Sequence, residues 1–299
     1  METYEKWLEA FRLKMATFAI LLVLSSFVLA NKTIDAYVWL IVLIVTLGTI
    51  NTMLTNDYFD REHDKLKGKT FASENEHTFL FVVVILWSII FMLSCVVMFY
   101  SRYQGSILLI CAFLGIIYSF TRKFPMLSAI TVAFASSLVS QFPTEKTFFQ
   151  DRIPIVLFSY VFLFILAREI VRDVKDKYID NIKNIKSEVY KKTLPVILNN
   201  KETALIIAGC TLFAGIICSL FLIPFAGKFY VIWIPLLILS VVAFIFYPNK
   251  YAIGEKYLDI GILIMLFSFL YPSIFNIYHD CLDYIAYIFE LIGFYYPIK

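Results

Sequence analysis

The sequence predicts an all-α protein, a polytopic membrane bundle of about nine transmembrane helices around a central chamber. Two observations support this prediction. Hydrophobic residues make up 61% of the 299 residues and charged residues only 16%, with a mean hydropathy of +0.79. This apolar share is far above that of an ordinary soluble domain. Apolar runs of roughly membrane-spanning length also recur along the chain, separated by polar breaks.

Nine apolar runs can be placed in order along the chain. They are Met15–Ala30, Tyr37–Thr55, Phe79–Tyr100, Ser106–Tyr118, Leu127–Phe142, Ile153–Ala167, Ala204–Ala226, Val231–Phe246 and Leu258–Ile277. The fifth run is rich in small and hydroxyl residues, which suits close packing between helices better than contact with lipid. The aromatic stretch Tyr284–Tyr296 is too short to span comfortably and predicts an interfacial helix.

The distribution of positive charge predicts the orientation of these helices. With nine helices, the loops on the side of the N-terminus carry 20 Lys and Arg residues, and those on the other side carry 6. Positively charged loops favour the cytoplasm, so the N-terminus is expected to face the cytoplasm from an inner, cytoplasmic membrane. The net charge of +3 is too small to indicate a nucleic-acid partner. No Gly-, Pro- or Ser-rich linker divides the chain, which predicts a single domain over residues 1–299.

Two acidic motifs follow directly on apolar runs. In the first, Asn56, Asp60 and Asp64 are spaced at i, i+4 and i+8, so a helix would place them on one face. The second motif has the spacing i, i+3 and i+7, and consists of Asp173, Asp176 and Asp180. Carboxylates about 6 Å apart repel by about 3 kcal/mol at an effective dielectric constant of about 20, so cations are expected between them. The predicted topology places both motifs on the cytoplasmic side.

The residue types in these motifs point to a site for a diphosphate. Carboxylate and amide oxygens without spaced His or Cys ligands select hard cations, and Mg²⁺ binds through carboxylates and substrate phosphates. Basic side chains that could contact a diphosphate lie within or beside the same loops, namely Arg61, Arg122, Lys123, Arg168 and Arg172. Because the site opens on an apolar bundle, the expected ligand is a diphosphate with a long apolar tail. The simpler interpretation is that these charged loops are only solvated.

The motifs resemble those of a known family. The patterns Asn-Asp-x-x-Asp-x-x-x-Asp over residues 56–64 and Asp-x-x-Asp-x-x-x-Asp over residues 173–180 resemble the paired signature of the UbiA superfamily of intramembrane prenyltransferases. Residues 118–123, Tyr-Ser-Phe-Thr-Arg-Lys, are similar to its Tyr-Ser-x-x-x-Lys motif. The stretch from Ala167 to Asp176 is most similar to the branch that attaches a geranylgeranyl chain to geranylgeranylglyceryl phosphate.

The resemblance implies Mg²⁺-dependent transfer of a prenyl group from an isoprenoid diphosphate to a hydrophobic acceptor, a lipid or an aromatic compound of lipid or quinone biosynthesis, through an allylic carbocation. It implies a metal-binding role for Asn56, Asp60, Asp64, Asp173, Asp176 and Asp180; a catalytic role for Asp57, Asp60, Asp173 and Asp176; and contact with the diphosphate for Arg61, Arg122, Lys123, Arg168 and Arg172. Tyr118 and Ser119 are expected on the substrate side. Asp57 is expected to pair with Arg61 at i, i+4.

Several positions depart from the family pattern and leave the acceptor open. The family often has an Arg-Pro pair and a Pro-Ser-Gly turn where residues 65–73 read Lys-Leu-Lys-Gly-Lys-Thr-Phe-Ala-Ser, and a Gly at the position of Ile179. An Asn common early in the fifth helix is replaced near Ser128. Two other functions remain possible from the sequence. One is a UbiA-type terpene cyclase, which ionises a prenyl diphosphate and cyclises it without an acceptor. The other is a non-catalytic membrane protein or cation transporter.

Overall fold

The computed structural model describes residues 7, 10–65, 71–121, 124, 126–144, 152–186, 193–222 and 233–270, with the backbone alone at 62, 63, 152 and 176–186. Within these residues every regular element is helical. The predicted interfacial helix over Tyr284–Tyr296 lies outside them, as do the ends of the runs Ala204–Ala226 and Leu258–Ile277 and the start of Val231–Phe246.

Nine apolar helices account for most of the described part of the chain. They are α1 (Leu13–Leu29), α2 (Ala36–Lys65), α3 (Glu76–Tyr100), α4 (Arg102–Thr121), α5 (Leu127–Leu138), α6 (Arg152–Lys186), α7 (Lys201–Leu220), α8 (Ile234–Phe246) and α9 (residues 251–270). Single turns occur at Phe71–Glu74 and Leu194–Ile197, and 3₁₀ turns at Val139–Gln141 and Pro248–Lys250. The predicted all-α membrane bundle is confirmed.

Within the described residues, five helical segments are long and apolar enough to cross a membrane: Ala36–Arg61, Glu76–Tyr100, Arg102–Thr121, Ile153–Lys175 and Lys201–Leu220. Shorter apolar helices cover Leu13–Leu29, Leu127–Gln141 and Ile234–Phe246. Only 28% of the apolar part of α3 is buried, against 44% in each of the other four long spans. Helix α3 therefore lies at the periphery of the bundle, where apolar side chains such as Phe81 and Phe99 are exposed on its outer surface.

Helices that follow one another in the chain mostly pack against one another. Helix α1 contacts α2, α2 contacts α3 and α4, and the series continues through α4, α5, α6, α7 and α8. Small residues permit close approach. Ala133 and Ser137 of α5 are fully buried, as the composition of the fifth run predicts. A Cβ at Gly105 would lie 2.5 Å from the Met98 Cα, so the α3–α4 hairpin requires glycine there.

Helices α2 and α6 extend well beyond their apolar runs. The Asp35 carboxylate accepts a hydrogen bond from the Val38 backbone N–H at 3.0 Å and caps the start of α2. Residues 49–65 and 155–186 contain neither Pro nor Gly, so nothing in the sequence ends either helix at the membrane surface. Both acidic motifs are therefore helical, which is the condition for their one-face spacing.

A cavity of about 170 Å³ lies inside the bundle and is lined by seven of the described helices, α1 to α6 and α9. We call it the chamber. Its lining is mostly apolar, with scattered hydroxyl groups, and the one charged side chain among the described lining residues, Arg168 of α6, lies near the same end as Tyr118 of α4. The chamber extends from Ile44 to Met53 along α2, about 14 Å at 1.5 Å per residue.

Candidate active site

The first acidic motif continues the face of α2 that lines the chamber. The lining residues of α2 are Ile44, Val45, Gly48, Thr49, Thr52 and Met53. Steps of four residues lead from Thr52 to Asn56 and then to Asp60, which places them about 40° and about 80° around an ideal helix from Thr52, within the arc that the lining residues cover. Residues of a type that binds metal ions, Asn56 and Asp60, thus begin about one turn beyond the last lining residue of α2.

Hydrogen bonds to α3 set the rotation of α2. The Trp87 Nε1–H donates to the Thr55 Oγ1 at 2.9 Å, and the Thr55 hydroxyl donates to the Asn51 carbonyl at 2.7 Å. The Asn51 amide donates to the Val83 carbonyl at 3.0 Å. Such contacts are costly to break in an apolar surrounding because the freed groups find no water. They hold the Thr52–Asn56 face toward the chamber.

Asn56 provides a buried oxygen that suits a hard cation. Its side chain is only 5% exposed, and its Oδ1 has no hydrogen-bond partner in the described part of the chain. An unsatisfied buried acceptor costs about 1–3 kcal/mol. Binding a cation such as Mg²⁺, which prefers oxygen ligands, would offset that cost. The donor set present on α2, an amide oxygen followed by carboxylates, therefore fits Mg²⁺.

A complete set of metal ligands is not visible among the described side chains. Within the described ranges, no group of three or more His, Cys, Asp and Glu side chains lies close enough to hold a metal ion. The Asn56 amide oxygen is a further ligand of a different type, and the side chains of Asp176 and Asp180 lie outside the described residues. The predicted set of six ligands therefore stays a prediction.

The second motif on α6 has a different register from the first. Tyr160, Phe164 and Arg168 line the chamber at steps of four, and the next steps reach Arg172 and position 176. Glu169 and Asp173, also four residues apart, share the neighbouring face of α6 and are 2% and 8% exposed. The basic residues of this stretch thus continue the chamber face, whereas Asp173 lies beside it.

Arg172 connects this part of α6 to the end of α4. Its Nη2 donates to the Tyr118 hydroxyl at 2.9 Å and also pairs with the Glu169 carboxylate. Tyr118 is 3% exposed and lines the chamber. The adjacent Ser119 Oγ is buried without a hydrogen-bond partner in the described residues. The predicted substrate-side residues therefore lie at the same end of the chamber as Arg172.

A series of ion pairs connects the two motifs, and we call it the ion-pair belt. The Arg12 Nη2 lies 2.6 Å from the Asp57 Oδ1, and the Lys14 Nζ lies 2.5 Å from the Asp259 Oδ2. The Arg168 Nε donates to the Asp259 Oδ1 at 3.0 Å. Because Arg12 and Lys14 are neighbours at the start of α1, the belt brings both acidic motifs to one end of the bundle, as the sequence predicts.

The structure differs from the sequence-based pairing of Asp57 with Arg61. Asp57 pairs with Arg12 of the preceding segment, and the Arg61 Nη2 lies 2.8 Å from the Glu76 Oε1. Arg61 also stacks over the Tyr58 ring at 4.6 Å. The i, i+4 spacing makes a local pair possible, but long Arg side chains reach acids on other helices instead. Arg122 and Lys123 lie outside the described residues.

Three belt residues have no place in the sequence-based site: Arg12, Lys14 and Asp259. Asp259 had a signal that could have identified it, since it lies inside the apolar run Leu258–Ile277. An ionisable residue within a membrane segment is costly and usually functional. Arg12 and Lys14 precede the first run and are indistinguishable by sequence from ordinary loop cations.

The Arg12–Asp57 pair is expected to stabilise the fold asymmetrically. Asp57 is 15% exposed and Arg12 30% exposed, so Arg12→Met leaves the more buried charge without this partner. We expect Arg12→Met to destabilise by about 3 kcal/mol and Asp57→Asn by less. The double variant should resemble Asp57→Asn, which gives a coupling energy of about 3 kcal/mol, equal to the loss expected for Arg12→Met alone. Thermal unfolding of the four proteins in detergent measures this, and additive losses would contradict it.

Comparison with known proteins identifies the family. The model of the UbiA prenyltransferase family matches residues 16–257 of the chain. The chain belongs to this family. It is a prenyltransferase and an integral membrane protein. The UbiA-type resemblance of its motifs is thereby confirmed.

Individual relatives agree with this assignment. A digeranylgeranylglyceryl phosphate synthase of Methanosphaera stadtmanae is 25% identical to this UbiA family member over 75% of the chain and 83% of the relative. A solved structure concerning digeranylgeranylglyceryl phosphate synthase in membranes is 22% identical, with a TM-score of 0.62 over 90% of this chain and 98% of that one.

Other UbiA homologues share the fold at lower identity. One from Aeropyrum pernix K1, solved without ligand, is 10% identical with a TM-score of 0.69, over 86% of this chain and 98% of that one. One from Archaeoglobus fulgidus, solved with DMAPP and Mg²⁺, is 14% identical with a TM-score of 0.59, over 87% of this chain and 99% of that one. These similarities establish a common helical architecture.

Proposed function

We propose that this UbiA prenyltransferase transfers a prenyl group from an isoprenoid diphosphate to a hydroxyl group of a glycerophosphate lipid, in a Mg²⁺-dependent reaction. The observation that carries the proposal is the position of two acidic motifs at the polar end of one apolar chamber. A diphosphate would bind at the motifs while its apolar tail lies in the chamber.

The acidic motifs would hold Mg²⁺ between α2 and α6. The residues proposed as ligands are Asn56, Asp60, Asp64, Asp173, Asp176 and Asp180. The unsatisfied Asn56 Oδ1 supports the α2 half of this set. When bound, Mg²⁺ would neutralise negative charge that develops on the diphosphate leaving group. Asp57, paired with Arg12, would hold the motif in place rather than contact the metal.

Basic side chains would contact the diphosphate at the same end of the chamber. We assign this role to Arg61, Arg122, Lys123 and Arg172, of which Arg61 and Arg172 have described side chains. The Arg61 Nε is buried without a hydrogen-bond partner in the described residues, so one donor is available. Arg172 is held by Tyr118 and Glu169 and presents its remaining N–H groups. The neighbouring Ser119 hydroxyl supports a substrate-side role for residues 118 and 119.

The chamber itself would protect the reactive prenyl group. Its aromatic lining residues are Phe18, Trp87, Tyr118, Tyr160 and Phe164. Aromatic faces attract cations, and an apolar wall excludes water that would otherwise react with an allylic cation. The allylic C–O bond breaks and its electrons leave with the diphosphate. The acceptor hydroxyl oxygen then bonds to the prenyl carbon, and its proton passes to a base or to the released diphosphate.

The relatives support a lipid acceptor over the aromatic class that the sequence also allows. The Methanosphaera relative is a digeranylgeranylglyceryl phosphate synthase, and its similarity covers three quarters of this chain. The uneven distribution of Lys and Arg between loops supports an active-site end that faces the cytoplasm. We further propose that residues 1–299 form one domain and act in a cytoplasmic membrane.

Product analysis tests this proposal directly. Purified protein is incubated with Mg²⁺, a series of prenyl diphosphates from dimethylallyl to geranylgeranyl, and a prenylated glycerol phosphate. We expect an ether-linked product by mass spectrometry and one diphosphate released per ether formed. Removing Mg²⁺ with EDTA should slow the reaction by about 10³-fold or more, because several kcal/mol of charge stabilisation is lost.

Two further incubations distinguish the alternatives. An aromatic acceptor such as a hydroxybenzoate replaces the glycerol phosphate in one, and no acceptor is present in the other. A prenylated aromatic product with no ether product would contradict the lipid acceptor. A cyclic hydrocarbon formed without any acceptor would contradict prenyl transfer and indicate a terpene cyclase.

A further inference from the structure

Arg168 is the one charged side chain among the chamber-lining residues that the described ranges contain. Its side chain is 15% exposed, and it lies five residues before Asp173, about 7.5 Å deeper along the axis of α6. A cation at an apolar wall is costly unless it has a partner or a function. Its position inside the chamber separates it from the other basic residues of the site.

Asp259 sets the direction of the Arg168 side chain. The Arg168 Nε donates to the Asp259 Oδ1 at 3.0 Å, and its Nη1 lies 3.6 Å from the Glu169 Oε1. The other oxygen of Asp259 pairs with Lys14 at 2.5 Å. Asp259 is 13% exposed and receives one cation from α1 and one from α6. The guanidinium is thus held at the wall formed by α1, α6 and α9.

Arg172, one turn further along α6, is held toward a different helix. It contacts the Tyr118 hydroxyl of α4 and shares the Glu169 carboxylate with Arg168. The sequence groups both arginines as diphosphate ligands because they are four residues apart. The structure divides them between the α4 side and the α9 side of the chamber.

Two anionic substrates must occupy this chamber together. The proposed function requires a donor with a diphosphate and an acceptor with a phosphate, and like charges repel strongly in a low-dielectric site. Each therefore needs its own positive partner. The donor has the Mg²⁺ motifs and the nearby Arg61 and Arg172. At the α9 side, Lys14 and Arg168 pair with Asp259 and Glu169, and Arg168 is the cation of this group that also lines the chamber.

We propose that Arg168 binds the phosphate of the acceptor lipid, and that Asp259 is the positioning residue that directs its guanidinium. The ligand class is the phosphomonoester of a prenylated glycerol, bound at the α1–α6–α9 wall apart from the donor diphosphate. Arg suits this role because its planar fork can donate two parallel hydrogen bonds to phosphate oxygens. The assignment rests on the proposed function.

The first test compares the two substrates in Arg168→Gln. We expect the KM for the phosphorylated acceptor to rise about 10- to 100-fold, the effect of losing a charge-assisted hydrogen-bonded contact. The KM for the donor should stay within about twofold of wild type, since no donor contact is lost. The preference for a phosphorylated acceptor over the same prenylated glycerol without phosphate should also disappear. Arg168→Lys should recover only part of the acceptor affinity that Arg168→Gln loses, because Lys restores the positive charge but not the two parallel N–H donors of the planar guanidinium.

Asp259→Asn tests positioning without removing the cation. We expect a smaller rise in acceptor KM, about 3- to 10-fold, with donor KM and kcat nearly unchanged. Arg102→Gln is the matched control, because Arg102 is exposed at the start of α4, away from the belt. It should leave both KM values unchanged.

A measurement on the wild-type enzyme does not depend on any variant being folded. Glycerol 1-phosphate, which has the acceptor headgroup without a prenyl chain, should inhibit competitively against the acceptor and not against the donor. Competition with the donor, or a rise in donor KM in Arg168→Gln, would indicate that Arg168 binds the donor diphosphate. That result would overturn the assignment of Arg168 to the acceptor phosphate and leave the proposed function intact. A wild-type enzyme that prenylates no glycerophosphate would instead overturn the proposed function, and the assignment with it.

Discussion

Asp60→Asn is expected to lower the rate of prenyl transfer severely while leaving the bundle folded. Asp60 continues the chamber-lining face of α2 one turn beyond Asn56, where it is proposed to bind Mg²⁺. Losing a carboxylate ligand removes several kcal/mol of charge stabilisation for the leaving group, so kcat/KM should fall by about 10³-fold. The measurement is release of diphosphate with a prenyl diphosphate and a glycerophosphate acceptor.

The residual activity of this variant gives a second readout. A site with one ligand fewer binds Mg²⁺ more weakly, so the Mg²⁺ concentration for half-maximal rate should rise by about 10-fold or more. Asp176→Asn, which changes the second acid of the α6 motif, should show the same shift in Mg²⁺ dependence as Asp60→Asn. A general folding defect would lower kcat without this shift in Mg²⁺ dependence.

Asp35→Asn is the matched control for Asp60→Asn. Asp35 lies at the opposite end of α2, where its carboxylate caps the helix by accepting a hydrogen bond from the Val38 backbone N–H. Asn is about as good a cap as Asp, so stability should change by only a few tenths of a kcal/mol. Full activity in Asp35→Asn with loss in Asp60→Asn would locate the effect at the motif. Equal loss in both variants would contradict the metal site.

The helical spacing of the first acidic motif and the same-side position of both motifs could be predicted from the sequence. Spacing within a helix is visible in the sequence, so the one-face arrangement of Asn56 and Asp60 could be predicted once the segment proved helical. The same-side position of the two motifs followed from counting helices and charges. Both predictions depend only on local periodicity and on the membrane as a fixed frame.

Contacts between helices could not be read from spacing in the same way. Asp57 lies four residues before Arg61 yet pairs with Arg12, and Arg168 pairs with Asp259, 91 residues away. A long, flexible Arg side chain can reach an acid on a neighbouring helix as easily as one on its own. Which acid it reaches depends on helix rotation, which here is set by contacts such as Trp87 with Thr55. The different partners of the two arginines, Asp259 for Arg168 and Tyr118 for Arg172, are therefore visible only in the structure.

Gly48→Phe is expected to shorten the longest donor that the enzyme accepts. Gly48 lines the chamber, and a Cβ added there would meet no atom within 4 Å, so a side chain at this position would occupy open space. It lies eight residues before Asn56, about 12 Å along α2 from the proposed diphosphate end. A phenyl ring at this depth should exclude the distal part of a long prenyl tail without touching the reacting end.

The expected result is a change in donor selectivity. For the longest donor that wild type uses, kcat/KM should fall by about 10- to 100-fold, the effect of about 1–3 kcal/mol of overpacking. For dimethylallyl diphosphate, whose short tail does not reach Gly48, it should stay within about threefold. Steady-state rates with a series of donors of increasing length measure the ratio directly.

Two variants separate chamber filling from a general effect on α2. Gly48→Ala adds a methyl group to open space and should gain up to about 1 kcal/mol of helix stability without altering donor preference. Leu43→Phe enlarges an exposed side chain on the lipid side of the same helix and should be neutral for all donors. If Gly48→Phe lowered the rates with all donors equally, the chamber would not hold the prenyl tail at this depth. A selective loss for long donors, with both controls normal, would identify the α2 wall as a determinant of donor length.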